Sequence, residues 1–430
     1  MTGGLLIAAP HSGSGKTVLT LGIMRALVEL GHKVAPFKAG PDFIDPAFHA
    51  QAAGRACYNL DPWGMRPDYL RNVAAHDGFT IVEGMMGLFD AAADGSGSCA
   101  DLAVLLGLPV LLVVDCSRQS HSVAALVRGF RDHRADVNIA ALILNRVSTA
   151  RHEGLLREAL AVLDIPIAGV VPLSNTLHLP ERHLGLVQAG EHGALEAFVS
   201  GAARIVSQHI DLTMLSELGN DHVKTESAKI FGIAPLGQRV AVAQDRAFAF
   251  AYPHILKGWR QAGAGVSFFS PLNDEGPGAD VDAVYLPGGY PELHAGVLAG
   301  SAKFRVGMLA AKKRGAVIYG ECGGFMVLGD CLIDADGAAH SMLGLLPVTT
   351  SFATRQRHLG YRKLVGRKGG LFEGHYRAHE FHYSTLIGQG SGDALFEARD
   401  ANGVDLGSYG LQVGKVAGSY LHLIDIMEEN

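Results

Sequence analysis

The chain has 430 residues, 48% of them hydrophobic and 18% charged, with a formal net charge of -6 and no basic block. That balance excludes a disordered or fibrous protein, and it excludes nucleic acid or an anionic membrane as the main partner, since both need clustered Lys and Arg. The length allows two or three domains, and a small molecule is the expected partner.

The longest apolar run, Leu102 to Val114, is broken by Gly107 and Pro109 and falls far short of the roughly 20 residues of a membrane helix. The first residues lack the basic stretch of a secretory signal, so the expected location is cytoplasmic. Five cysteines, with no C-x-x-C pair, suggest neither a disulfide framework nor a zinc knuckle. Most are expected to be small core residues.

From Leu5 one pattern repeats: a short apolar run, a glycine or proline break, then an amphipathic stretch. The runs are "LLIAA", "VAPFK", "FTIVEG", "PVLLVVD", "IAALILN" and "IPIAGVV". Such alternation predicts a parallel sheet covered by helices, with ligands at the carboxyl ends of the strands. After the first run, Ser12-Gly13-Ser14-Gly15-Lys16-Thr17 opens a helix with apolar positions at Val18, Leu21, Met24 and Leu27 and a stop at Gly31. This is the setting of a phosphate loop. Gly13 and Gly15 remove Cβ atoms from the approach, Lys16 reaches the β and γ oxygens of ATP, and Thr17 binds magnesium. Pro10 stands where the full motif has glycine.

Two later strand ends supply carboxylates. "FKAGPDFIDP" offers Lys38, Asp42 and Asp45, and "IVEGMMGLFD" offers Glu83, placed as a second magnesium-directed acid would be. Asp45 before Pro46 could equally start a turn, and Asp90 could be a solvated acid. Asn145, ending its run, could read an adenine edge or satisfy backbone groups in a turn.

Between Ala203 and Gln238 the pattern weakens, which predicts a domain at 1–202, a connection at 203–238 and a second domain at 239–430. The second domain opens with "RVAVAQ", continues through "VSFFSP" and "DAVYLPGGYPE", and becomes richer in strand-forming residues over its last stretch. "YGECGGFMVLG" sets Cys322 on a strand-to-helix turn, where a thiolate is favoured. A cysteine nucleophile needs a base and oxyanion donors. His422 in "GSYLHLIDI" and the amides of Gly288 and Gly289 in "LPGGYPE" supply both, and Cys331 is expected in the core.

The set "SGSGKT", "FKAGPDFIDPAFH", "VEGMMGLFD", "PERHLGLVQAGEH", "LPGGYPE", "GECGGFMVLG", "HEFHYS" and "GSYLHL" resembles, in order and over nearly the whole chain, the glutamine-dependent a,c-diamide synthases of corrinoid biosynthesis. The resemblance implies an α/β fold: an N-terminal P-loop domain similar to dethiobiotin synthetase and a C-terminal triad-type (class I) glutamine amidotransferase domain. It implies that Cys322 attacks the side-chain amide of L-glutamine with His422 as acid and base, and that the Gly289 and Gly323 amides hold the oxyanion. It also implies an ATP and Mg2+ site at Ser12 to Thr17, Lys38, Asp42 and Glu83. Asp42, Ile44, Asp45 and Glu83 would lie near the acetate being amidated, with Arg182 and His183 as weaker substrate contacts.

The segments "DPWGMRP" and "ADGSGS" run closest to the aerobic branch of that family, whose substrate is hydrogenobyrinic acid. Cobyrinic acid and a nickel tetrapyrrole are the alternatives, and a homodimer is one assembly the resemblance allows. Triad enzymes carry a glutamate two residues after the histidine, where this chain has Ile424; Asp425 or Glu380 could take its place in space. A partition-type ATPase switch with an inert glutaminase-like domain is disfavoured, because His11 and Ser12 stand where such switches have an extra lysine.

Overall fold

A computed structural model describes residues 3–174, 181–182, 185–186, 189–191, 193–219 and 230–428. These separate into two compact units, Met1–Trp63 with Pro67–Ile230, and Gly64–Arg66 with Phe231–Asn430. Among the described residues no helix is long and apolar enough to cross a membrane.

The first unit is built on β1 (Gly4–Ala8), β2 (Val34–Ala39), β3 (Tyr58–Leu60), β4 (Phe79–Glu83), β5 (Val110–Asp115), β6 (Ile139–Val147) and β7 (Ile167–Pro172). They form one sheet in the order β3-β2-β4-β1-β5-β6-β7, every pairing parallel. All six expected runs become strands, and β3 joins them unforeseen because three residues are too few to show a period. Pro36 is tolerated in β2 because β3 pairs only with Phe37, Lys38 and Ala39. Leu5, Leu6 and Ile7 are fully buried, each worth roughly 1.5–3 kcal/mol on transfer from water.

β1 passes the chain toward β2 on one side while its neighbour β5 passes it toward β6 on the other, and the crevice this creates opens at their carboxyl ends. The helix Lys16–Glu29 that follows is crossed closely by the helix Leu195–His209. A Cβ at Gly22 would lie 2.8 Å from the Ala202 carbonyl oxygen. That helix and the next, Leu212–Leu218, occupy the start of the stretch expected as a connection. Leu215 is wholly buried in the first unit's core, and Gly4 N donates to Gly219 O at 3.0 Å. The polar outer faces of these two helices weakened the apolar pattern without ending the fold. A two-stranded ladder, β8 (Glu181–Arg182) with β9 (Gly185–Leu186), completes the described part of this unit.

The second unit begins with β10 (Arg239–Ala243), β11 (Gly265–Phe269), β12 (Ala283–Leu286) and β13 (Val317–Glu321). A β-rich stretch follows: β14 (Cys331–Ile333), β15 (Ala339–Ser341), β16 (Val348–Ser351), β17 (His358–Gly366), β18 (Gly374–His382), β19 (Thr385–Gln389), β20 (Phe396–Asp400), β21 (Asp405–Tyr409), β22 (Leu411–Val413), β23 (Val416–Ser419) and β24 (Leu421–Ile426). The main sheet runs β11-β10-β12-β13-β23-β22, with smaller sheets β15-β14-β16-β19 and β21-β20-β17-β18-β24. Thus β23 and β24, adjacent in sequence, feed two different sheets at Tyr420.

The helix Pro253–Gln261 carries His254, which is 2% exposed and bonds through Nε2 to the Ile424 carbonyl at 3.0 Å. Burial pushes its pKa down to about 4, only partly offset by that bond. Burial likewise lowers His379, to about 3, with the His422 charge adding to it. For His254 the unfolded chain binds a proton that the folded chain refuses between pH 6.5 and about 4, so stability is lost as pH falls through that window, by about 3 kcal/mol in all. The second unit is therefore expected to melt at a lower temperature at pH 5 than at pH 7.5. His254→Gln, which keeps a donor for Ile424, should make that dependence shallower, leaving the part that His379 contributes. An unchanged pH slope in scanning calorimetry would remove His254 as its source.

Candidate active sites

In the first unit, the turn after β1 takes left-handed backbone at Gly13 (φ 79) and Gly15 (φ 88), which side-chain-bearing residues avoid. A Cβ at Gly13 would meet nothing within 4 Å, while one at Gly15 would lie 2.3 Å from Asn145 Nδ2. Asn145 Nδ2 donates to the Ser14 carbonyl at 2.8 Å, and its Oδ1 accepts from Arg146 N at 3.0 Å. Of the two roles its position in the sequence allowed, the side chain here satisfies backbone groups and braces the loop. Ser14 Oγ donates to the His11 carbonyl at 2.8 Å, whereas Ser12 is exposed.

Lys16, at the start of the helix, donates to the carbonyl of Met86 at 2.7 Å. Burial lowers its pKa, opposed by the Glu83 charge. Met86 has φ 50, a costly conformation for a non-glycine residue that surrounding bonds must hold. Leu88 N donates to Ala9 O at 2.9 Å, and Gly87 N donates to Asp90 Oδ2 at 2.7 Å. The loop after β4 is thereby fastened against the loop after β1, and Asp90 is a turn-closing acid.

The carboxyl ends of β2 and β4 meet beside it. Thr17 Oγ1 donates to Glu83 Oε1 at 2.7 Å. Lys38, 4% exposed, bridges Asp45 Oδ2 at 2.5 Å and Glu83 Oε1 at 3.0 Å. His49, fully buried on the helix Asp45–Ala53, reaches the other Glu83 oxygen through Nε2. Burial pushes the Glu83 carboxyl up, but Lys38 and His49 outweigh it, and its pKa lies well below the ordinary range. Burial and then the Asp42 charge push Asp45 upward against Lys38. Burial would lower Lys38, yet Asp45 and Glu83 together hold it well above its usual value. Lys38, expected at the nucleotide, is thus spent on two carboxylates.

Asp42 is half-buried and its Oδ1 accepts from Ile44 N at 2.7 Å. Asp45 is both the first residue of a helix and part of the charge cluster. His49 escaped the sequence reading. Its spacing of four from Asp45 puts both on one helical face, and that was the available signal. The described residues include the backbone of Arg182 in β8, while His183 lies outside them.

In the second unit, Cys322 follows β13 with φ 46 and ψ -104 and precedes the short helix Gly323–Leu328. The turn needs small neighbours. A Cβ at Gly324 would lie 1.9 Å from Leu286 O, and one at Gly320 would lie 2.7 Å from the Gly324 carbonyl carbon. Cys322 N donates to Ser419 O at 2.8 Å, tying the turn to β23. The thiol is 4% exposed. Burial, followed by the Glu292 charge, pushes its pKa well above the ordinary thiol range. The expected thiolate bias of a helix start is therefore overridden by desolvation.

Gly288 brings the cysteine and histidine together. A Cβ there would lie 3.3 Å from Cys322 Cβ, 3.3 Å from His422 Nε2 and 2.4 Å from His422 Cε1. The Cβ position of Gly323 is 3.1 Å from Gly289 N, so the two amides expected to act together are neighbours. His422, 1% exposed, has the Glu321 carboxylate 3.7 Å from its Nδ1. Cys331, expected in the core, is only half-buried on β14. Its strand is short and sits in a small sheet, where only alternate residues face inward.

Among the described residues, His358, Glu380 and His382 are the cluster whose ligand atoms lie within 4.8 Å of one another. Glu380 there is neutralised by Arg362 at 2.7 Å, and the two imidazoles stack on each other with centroids 4.6 Å apart.

Residues 5–187 match the CobQ/CobB/MinD/ParA nucleotide binding domain, and residues 239–428 match the CobB/CobQ-like glutamine amidotransferase domain. The chain is 58% identical over 428 residues to a hydrogenobyrinate a,c-diamide synthase of a Sinorhizobium species, covering 98% of this chain and 99% of the relative. It is 57% identical over 429 residues to the enzyme of that name from Rhizobium meliloti, covering 99% and 100%. With that of Brucella anthropi it shares 55% over 432 residues, 99% of each.

Proposed function

The chain belongs to the hydrogenobyrinate a,c-diamide synthase family, and from that premise we propose how its residues divide a glutamine-dependent amidation of hydrogenobyrinic acid, a step of cobalamin biosynthesis. The second unit releases ammonia from glutamine. The first activates the a and c acetate carboxylates with ATP. The observation that carries this reading is the junction at Gly288, whose Cβ position lies 3.3 Å both from Cys322 Cβ on its strained turn and from Nε2 of the buried His422.

In the second unit, Cys322 Sγ attacks the side-chain carbonyl carbon of glutamine while His422 takes the thiol proton. The Gly289 and Gly323 amides bind the oxygen as it becomes anionic. His422 then returns the proton to the leaving nitrogen, ammonia departs, and water hydrolyses the glutamyl thioester to glutamate. Desolvation keeps the resting thiol protonated, so the histidine is required at the first step.

A carboxylate resists attack by ammonia because its carbon is a poor electrophile and oxide a poor leaving group. An acetate oxygen therefore first displaces ADP from the γ-phosphorus, giving an acyl phosphate, and ammonia then displaces phosphate. Lys16 leaves the Met86 carbonyl for the phosphate oxygens, which meet no Cβ at Gly13. Thr17, Asp42 and Glu83 are hard oxygen donors that would hold a magnesium ion, which would supply positive charge against the phosphate oxygens. Lys38 and His49 keep Glu83 anionic for this role rather than touching nucleotide. The five free cysteines fit a reducing compartment, and we read the enzyme as cytoplasmic.

The direct test incubates the protein with hydrogenobyrinic acid, ATP, magnesium and glutamine, with products followed by mass spectrometry. Two successive acid-to-amide conversions, with a transient monoamide, are expected. An unmodified ring, under conditions where cobyrinic acid or a nickel tetrapyrrole is fully diamidated, would reject the substrate assignment.

Cys322→Ala should abolish amidation from glutamine and retain it from ammonium salts. Normal glutamine use by this variant would show that another group is the nucleophile. Lys16→Ala and Glu83→Gln should each lose about 10²–10³ in rate with either nitrogen source, because both act on carboxylate activation. A loss confined to glutamine-driven turnover would refute that division.

A further inference from the structure

A histidine that shuttles a proton needs its ring held in one orientation, usually by a carboxylate on the nitrogen facing away from the nucleophile. Side-chain alternation sets His422 and residue 424 on one face of β24, but that residue is Ile424, 1% exposed. The two acids that could have replaced it are engaged elsewhere. Asp425 accepts from Arg66 N and Nε, both at 3.0 Å. Glu380 accepts from Arg362 Nε at 2.9 Å and lies 3.0 Å from His382 Nε2. The register of β18 puts His379, not Glu380, opposite His422.

The acid that faces the ring is Glu321, the residue before Cys322. Its Oε2 lies 3.7 Å from His422 Nδ1, with the two side chains 3% and 1% exposed. Its oxygens are fixed from two sides. Oε2 accepts from Tyr285 OH at 2.7 Å, and Oε1 accepts from Leu423 N at 3.2 Å, the residue after the histidine itself. The ring is thus addressed from both ends: Nε2 on the Gly288 side with Cys322, Nδ1 on the side of Glu321. The Nδ1 separation exceeds a hydrogen bond, and catalytic contacts of this kind commonly tighten when substrate binds.

Resting on the glutaminase reading of Cys322 and His422, we propose that Glu321 is the positioning residue of His422, supplied from β13 in place of a carboxylate on β24. One strand end then delivers both the nucleophile and the acid that orients its base.

The test measures glutamine-dependent kcat and KM for Glu321→Gln and Glu321→Asp, each made in the parent and in His422→Ala, with ammonium-driven amidation and thermal melting as checks on folding. Glu321→Gln should lower kcat by about 10- to 1000-fold with KM for glutamine within about threefold, and Glu321→Asp should recover part of the loss. In the His422→Ala background neither change should cost anything more, because a residue acting through the histidine has nothing left to orient. An independent, multiplying loss in that background, or a normal kcat in folded Glu321→Gln, overturns the proposal. Should Glu321→Gln fail to fold, Glu321→Asp decides it by the same comparison. Retention of glutamine use by Cys322→Ala would instead overturn the reading on which the proposal rests.

Discussion

The contact between Lys38 and Glu83 is the constraint around which the first unit is organised. A carboxylate 1% exposed would normally shed its charge, because desolvation of an ion costs several kcal/mol. Lys38 at 3.0 Å, His49 and the Thr17 hydroxyl reverse that outcome. Three elements are locked by it: β2 through Lys38, the helix after it through Asp45 and His49, and the helix after β1 through Thr17. Removing one partner would leave a buried charge uncompensated, so the loops above the sheet depend on a pair lying beneath them.

The second unit solves the opposite problem, bringing a neutral thiol and an imidazole close where backbone is densely packed. Its means is the absence of side chains. Gly288, Gly289, Gly320, Gly323 and Gly324 each sit where a Cβ would approach a neighbouring atom to about 3 Å or less. That crowding holds Cys322 at φ 46, because the turn has no room to relax into an ordinary conformation. The first unit stores its order in charge, the second in steric fit.

What the sequence disclosed follows the same division. Six strands of the first main sheet and β10 to β13 of the second were legible as short apolar runs, whereas β3, β22 and β23, of three or four residues each, were not. Lys16, Thr17 and Cys322 were legible because each follows such a run or opens the helix after it, and His422 because it lies in the apolar run of β24, at the start of that strand rather than at its end. Asn145 and Lys38 could be located but not resolved in role, since a strand-end amide or amine can serve ligand or protein equally well. The packing of 203–218 on the first unit was hidden because the helices there bury few residues. Glu321 was invisible for a different reason: it acts by meeting His422, far away in the chain, and no local spacing encodes that meeting; for His49 the spacing from Asp45 marked its helical face but not its partner Glu83.

Glu321 also bears on why position 424 is free to be isoleucine. Ile424 hands its carbonyl to His254 at 3.0 Å, and its side chain is 1% exposed, a burial that would penalise a charge. A carboxylate on β13 avoids that cost because Tyr285 and the Leu423 amide already wait for it. The acid is therefore placed where hydrogen-bond donors exist, and the histidine's own strand is left to pack. Seen this way, the missing glutamate of β24 is an exchange of position between two strand ends that meet at one imidazole, and the chemistry asked of that imidazole is unchanged.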